Sequence, residues 1–195
     1  MMELILTLRV IHIITAILMA WPFYALVAVN QRVRLGPPLG DRTDTYMENI
    51  VKNRTIPCFV FQATALITGV ALMYLRGMGL GALFTDVMLG LKFWLLLLIG
   101  GLLTYVHISL QPRIDALFAQ LGTGNGAEET AKEIGSLRLR RKRFATVCMF
   151  VVLLVAMFGV QVWEPFPVWL TIVMVIAIGL FTWRAYSSET SYGWV

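Results

Sequence analysis

Four side chains with chemical potential stand inside otherwise apolar runs: His12 in "LRVIHIITAILMAWPFYALV", Gln62, Lys92 and His107. An ionisable group in hydrocarbon costs several kcal/mol unless it is partnered, so such positions are where function is sought first. An imidazole offers a lone-pair nitrogen to a metal, and a lysine offers a cation to an acidic group. Their spacing sorts them into two layers. At about 1.5 Å of rise per residue and a hydrocarbon core of about 30 Å, His12 lies about 12 Å and Lys92 about 6 Å from one membrane face, with Gln62 and His107 near the other. Axial ligands of one metal bring their nitrogens within roughly 4 Å of each other. His12 and His107 are therefore not expected to share an ion. His12, Thr15, Met19 and Phe23 recur at i, i+3, i+7 and i+11 on one helical face, and Gly100, Thr104, His107 and Gln111 form a similar stripe. The sharper account makes His12 a metal ligand, the axial ligand of a b-type haem, with Lys92 facing an acidic group such as a haem propionate. The plainer account has each histidine hydrogen-bonded to a neighbouring hydroxyl or carbonyl while Lys92 snorkels towards headgroups.

The elements that must hold these residues are helices through a bilayer. Of the 195 residues 58% are apolar and 14% charged, where a soluble domain has about 45–50% and about 25%. The mean hydropathy is +0.77. Apolar stretches long enough to cross a bilayer core are expected as spans near 4–30, 56–75, 88–111, 144–162 and 166–183. The expected fold is all-α: one polytopic transmembrane helical domain, residues 1–195, with four core helices plus a fifth C-terminal helix. A net charge of +5 raises the question of nucleic acid, but the cations are distributed as a topology signal. Of 16 Lys and Arg residues, only Arg9, Arg76 and Lys92 fall on or near one face, and all the others lie towards the opposite face. The positive-inside rule then puts the N-terminus outside and the tail "RAYSSETSYGWV" in the cytoplasm, with the lipid bilayer as partner and no nucleic acid. The first span, preceded by Glu3 and no basic segment, is expected to remain uncleaved.

Between spans, "GPPLG" is expected to turn, and "DTYMENIVKNR" to form a short amphipathic helix at the cytoplasmic surface. "GTGNG" reads as a flexible centre before "AEETAKEIGSLRLRRKR", a helical segment whose cations from Arg138 to Arg143 are expected to meet anionic headgroups. "WEPFPVW" makes a short hairpin with interfacial tryptophans. Small residues four apart (Ala16 and Ala20, Ala65 and Gly69, Gly100 and Thr104) allow helices to approach closely. Cys58 and Cys148 read as small buried hydrophobes that stay reduced on a cytoplasmic face.

The order of "HIITAILMAWPFYALVAVNQR", "YMENIVKNRTIPCFVFQATALITGVALMY" and "LKFWLLLLIGGLLTYVHISLQPRIDALFAQ" resembles a group of small bacterial integral membrane proteins of unknown function. That group is similar to the copper-resistance protein D membrane domain and to the HemJ-type protoporphyrinogen oxidases. The resemblance spans roughly residues 8 to 165 and implies a bacterial cytoplasmic (inner) membrane location. It also implies haem b at the first-helix histidine, which His12 matches, a third-helix lysine matched by Lys92, and a tyrosine–histidine pair matched by Tyr105 and His107. The asparagine–glutamate–proline cluster of the HemJ-type fourth span has no counterpart in "RKRFATV", and the fifth span is additional.

The expected function is a haem-b-associated membrane protein in electron transfer or haem handling, its candidate cofactor residues being His12, Lys92, Met19, Tyr105 and His107. The alternative is an accessory or scaffold subunit, working within a larger membrane complex or a homo-oligomer. HemJ-like porphyrinogen oxidation or copper transport stands third. No acid accompanies either histidine within a helical turn, so hydrolytic or nucleophilic catalysis has no candidate residues.

Overall fold

The computed structural model describes residues 2–30, 39–52, 54–120 and 127–187. Most of the expected "GPPLG" turn, the "GTGNG" centre, Arg32, Arg34 and the tail beyond residue 187 lie outside the described residues. Every described element is helical: α1 (Met2–Asn30), α2 (Arg42–Lys52), α3 (Thr55–Leu75), α4 (Ala82–Thr85), α5 (Val87–Tyr105), α6 (Gln111–Gln120), α7 (Ala127–Gln161) and α8 (Val168–Ser187). A π-helical turn, Val106–Leu110, joins α5 to α6 without a break. Five helical stretches are long and apolar enough to cross a membrane, with mean hydropathies of 1.9 to 2.3. A multi-pass protein in a lipid bilayer follows from those lengths and from the lack of water partners in hydrocarbon, which only a helix, satisfied within itself, tolerates.

Local chemistry sets the helix ends. Asp86 caps α5, its Oδ1 accepting from the Leu89 amide at 2.9 Å. After α3, Gly77 takes φ +74°, and its amide donates to Tyr74 O while that of Met78 donates to Met73 O. That is a Schellman stop, which favours glycine because of the left-handed backbone.

Helices α1 and α5 each pack against both α3 and α7, so these four close into a bundle, and α8 lies against the outside of α7. The core draws on all four: Met19 and Phe23 from α1, Cys58 from α3, Leu96 and Ile99 from α5, and Cys148 from α7 are buried together. The four-plus-one arrangement matches the expectation. Two helices run on beyond the expected spans. The third continues past 111 to Gln120 through the π-helical turn. The fourth begins at Ala127, so "AEETAKEIGSLRLRRKR", expected to be helical, runs without a break into the span expected from 144.

Candidate functional site

His12 projects from α1 onto α3. Its Nδ1 lies 2.9 Å from Thr68 Oγ1. The Thr68 hydroxyl donates its single hydrogen to Thr64 O at 2.7 Å, with Ala65 O at 3.2 Å. With that hydrogen on Thr64 O, the Thr68 oxygen is free to accept from an Nδ1–H, the tautomer that leaves Nε2 as the lone-pair nitrogen. Gly69 makes room for the ring: a Cβ there would stand 3.3 Å from His12 Cε1. Lys92 belongs to the same layer, within electrostatic reach of His12, and its Nζ lies 3.4 Å from where a Cβ on Gly159 of α7 would be. One turn outward from His12, Arg9 stands over the Trp163 ring at 3.6 Å, and Arg76, just past α3, stands over the same ring at 3.1 Å. Partial burial and the neighbouring Arg9 hold the Arg76 guanidinium below its usual value.

Towards the α2 end the other predicted residues are dispersed. His107, exposed on the π-helical turn, has its Nδ1 2.9 Å from Thr55 Oγ1 and meets Phe59 edge-on with centroids 6.0 Å apart. Thr55 and Thr68 are thirteen positions apart on α3, about 20 Å at the rise of an α-helix. The two histidines thus occupy opposite layers. Tyr105 packs on Phe144 at 5.2 Å, beneath the Arg140 guanidinium. Met19 is 1% exposed in the core between the layers. The fold therefore brings together His12 and Lys92, and places Met19, Tyr105 and His107 elsewhere. Gln62 keeps to the middle, its Nε2 donating to Leu96 O at 2.5 Å in a notch left by Gly100.

No family model, no curated protein and no solved structure matches this chain. Its chemistry rests on its own residues, and among those described no group of three or more His, Cys, Asp or Glu is arranged to hold a metal ion.

Two of the cations from Arg138 to Arg143 depart from expectation. Instead of facing headgroups, Arg138 grips Asp44 with both ends of its fork, at 3.0 and 2.9 Å, and its Nε forms an ion pair with Glu48 at 3.1 Å. Arg141 pairs with both oxygens of Glu48 and donates to Gln111 Oε1 at 2.6 Å. Gln111 passes the connection to Asp115 at 3.1 Å, which Lys52 closes at 2.8 Å. Asp44, Glu48 and Arg141 are 3%, 6% and 4% exposed. So α2 is amphipathic as expected, but the face that carries Asp44 and Glu48 turns inward onto α7. The signal was present as the i, i+4, i+8 spacing of Asp44, Glu48 and Lys52. Beneath this clamp a cavity of about 60 Å³ is lined by Cys58, Cys148, Arg141 and Gln111 among others.

Proposed function

We propose that the chain is a bacterial inner-membrane protein holding a b-type haem on His12, in the half of the bundle that faces outward, and serving electron transfer or haem handling. The observation that carries this is the His12–Thr68 hydrogen bond. A hydroxyl oxygen accepting from Nδ1–H orients a ligating imidazole and raises its basicity, and it leaves Nε2 in the form that coordinates iron. The donor chemistry of the residues present thus fits the group that the family resemblance implies. Bound there, a haem supplies one-electron chemistry at its iron.

The chain's own part is positioning and electrostatics. Thr68 supplies an acceptor that suits an Nδ1–H imidazole, and Gly69 admits the ring. Lys92 places a cation in the same layer, suited to a propionate carboxylate. The packed core around Met19 and Ile99 keeps water from reaching that layer through the bundle. His107 is out of reach of an iron on His12. The concentration of cations at the α2 end supports an outside N-terminus and a cytoplasmic C-terminus.

The test is a reduced-minus-oxidised spectrum of the protein purified after expression with haem supplied. A b-type α-band in the wild type that is lost in His12→Ala is the expected result, and a wild type without the band ends the proposal. The second reading, a subunit without chemistry of its own, draws on the ionic clamp, which makes a rigid platform of α2, α6 and the start of α7. On that reading His12→Ala leaves both assembly and the activity of the assembled complex intact.

A further inference from the structure

The cations of this protein are handled in opposite ways at the two ends of the bundle. At the α2 end Arg138 and Arg141 are matched to Asp44 and Glu48. At the other end, where only three of the 16 cationic residues belong, two of them meet on one ring. Arg9 comes from α1 and Arg76 from the end of α3, and their guanidinium carbons stand 3.6 and 3.1 Å from the centre of the Trp163 indole, at the end of α7. Both lying that close to one point bounds their separation at about 7 Å, a distance at which like charges repel unless an anion joins them. Among the described residues no carboxylate forms an ion pair with either.

We propose that Arg9 and Arg76, held on Trp163, form a binding site for a phosphate group at the end of the bundle opposite α2. The ring supports both guanidiniums through cation–π contact, and their N–H edges remain to donate elsewhere. A phosphate presents more acceptor oxygens than a carboxylate, set tetrahedrally, and can take both arginine forks at once. Tryptophan at a hairpin between spans sits at headgroup depth, so the phosphate of an anionic lipid arrives there directly. A free phosphate offers the same oxygens from the water side, and Arg76 is exposed to it. The site has its own partners: both arginines stand on Trp163, whereas His12 is hydrogen-bonded to Thr68.

The experiment uses the full chain purified in mild detergent with phosphatidylglycerol, read by native mass spectrometry with and without millimolar inorganic phosphate. Wild type is expected to retain one phosphatidylglycerol. R9Q and R76Q are expected to bind it about tenfold more weakly, the loss of one charged hydrogen-bonding group. R184Q, at the far end, is expected to match wild type. R76K keeps the charge but not the fork and is expected to fall between wild type and R76Q, which guards against a fold defect in the glutamine variant. Retention that inorganic phosphate does not displace assigns the site to the lipid, and displacement assigns it to free phosphate. Equal retention of lipid, and equal displacement by phosphate, in wild type, R9Q and R76Q overturns the proposal.

Discussion

Nδ1 of His12 and Oγ1 of Thr68 stand 2.9 Å apart across the α1–α3 interface, and the hydroxyl has already spent its hydrogen on the carbonyl of Thr64. A threonine that bonds back to its own helix is common in membrane spans, where it satisfies the hydroxyl internally and often bends the helix. Here the same hydroxyl oxygen also accepts from a second helix. It thereby suits the Nδ1–H tautomer of the only histidine in this layer.

Thr68→Val keeps the shape of that side chain and removes the acceptor. The His12 N–H then faces a methyl group, and the expected cost is about 1–3 kcal/mol of stability. Thr68→Ser, which restores the oxygen, is expected to recover most of it. Thermal unfolding of the purified protein in detergent measures both. A valine variant as stable as wild type would show that the hydrogen bond contributes nothing.

Glycines supply the second prediction. Gly100 and Gly101 are neighbours on α5 with opposite surroundings: a Cβ on Gly100 would stand 2.8 Å from Gln62 Nε2, and one on Gly101 would meet nothing within 4 Å. Gln62 cannot swing away freely, because that nitrogen already donates to Leu96 O. Gly100→Ala is therefore expected to destabilise by about 1–3 kcal/mol through overpacking. Gly101→Ala is expected to be neutral or to stabilise by up to about 1 kcal/mol, since alanine is the better helix former. The two midpoints in one denaturation series check the contrast.

These positions also show what the sequence discloses and what it hides. The spans were legible because apolar length alone defines them, and the His12–Lys92 layer followed from counting residues along two helices. The pairings across helices were not legible. Nothing local marks Gly69, Gly100 and Gly159 as seats for His12, Gln62 and Lys92, since each seat belongs to a different helix from its occupant. The inward face of α2 was hidden for a related reason. Asp44 and Glu48 look solvent-bound in isolation, and only the arginines of α7, more than ninety residues away, make their burial affordable in free energy. Tyr105 and His107 are close in sequence, yet they lie in separate surroundings because residues two apart on a helix face different sides.

Cys58 and Cys148 are 1% and 2% exposed and line the cavity beneath α2. Thiols so enclosed react only when the structure opens. Neither is expected to take up maleimide in the folded protein, and both are expected to do so in denaturing detergent. Glu48→Gln, which weakens the hold on Arg141 in the cavity wall, is expected to speed labelling at both cysteines. Mass shifts over a time course report the rates, and rapid labelling of the wild type would contradict the packing.

The clamp itself gives the last prediction. Glu48 accepts from Arg141 through both oxygens while Arg138 lies alongside, and all three are largely withdrawn from water. Removing one partner of such a pair leaves an uncompensated charge, so Glu48→Leu and Arg141→Leu are each expected to cost about 3–5 kcal/mol. Removing both leaves less unpaired charge than either single change. The double variant is therefore expected to be more stable than the sum of the two losses implies, with a coupling of about 0.5–3 kcal/mol. Arg138 retains Asp44 in every variant, so α2 stays attached and the comparison remains within one fold. Unfolding free energies of the four proteins close the cycle. Additive losses would mean that Glu48 and Arg141 act independently, each through packing alone.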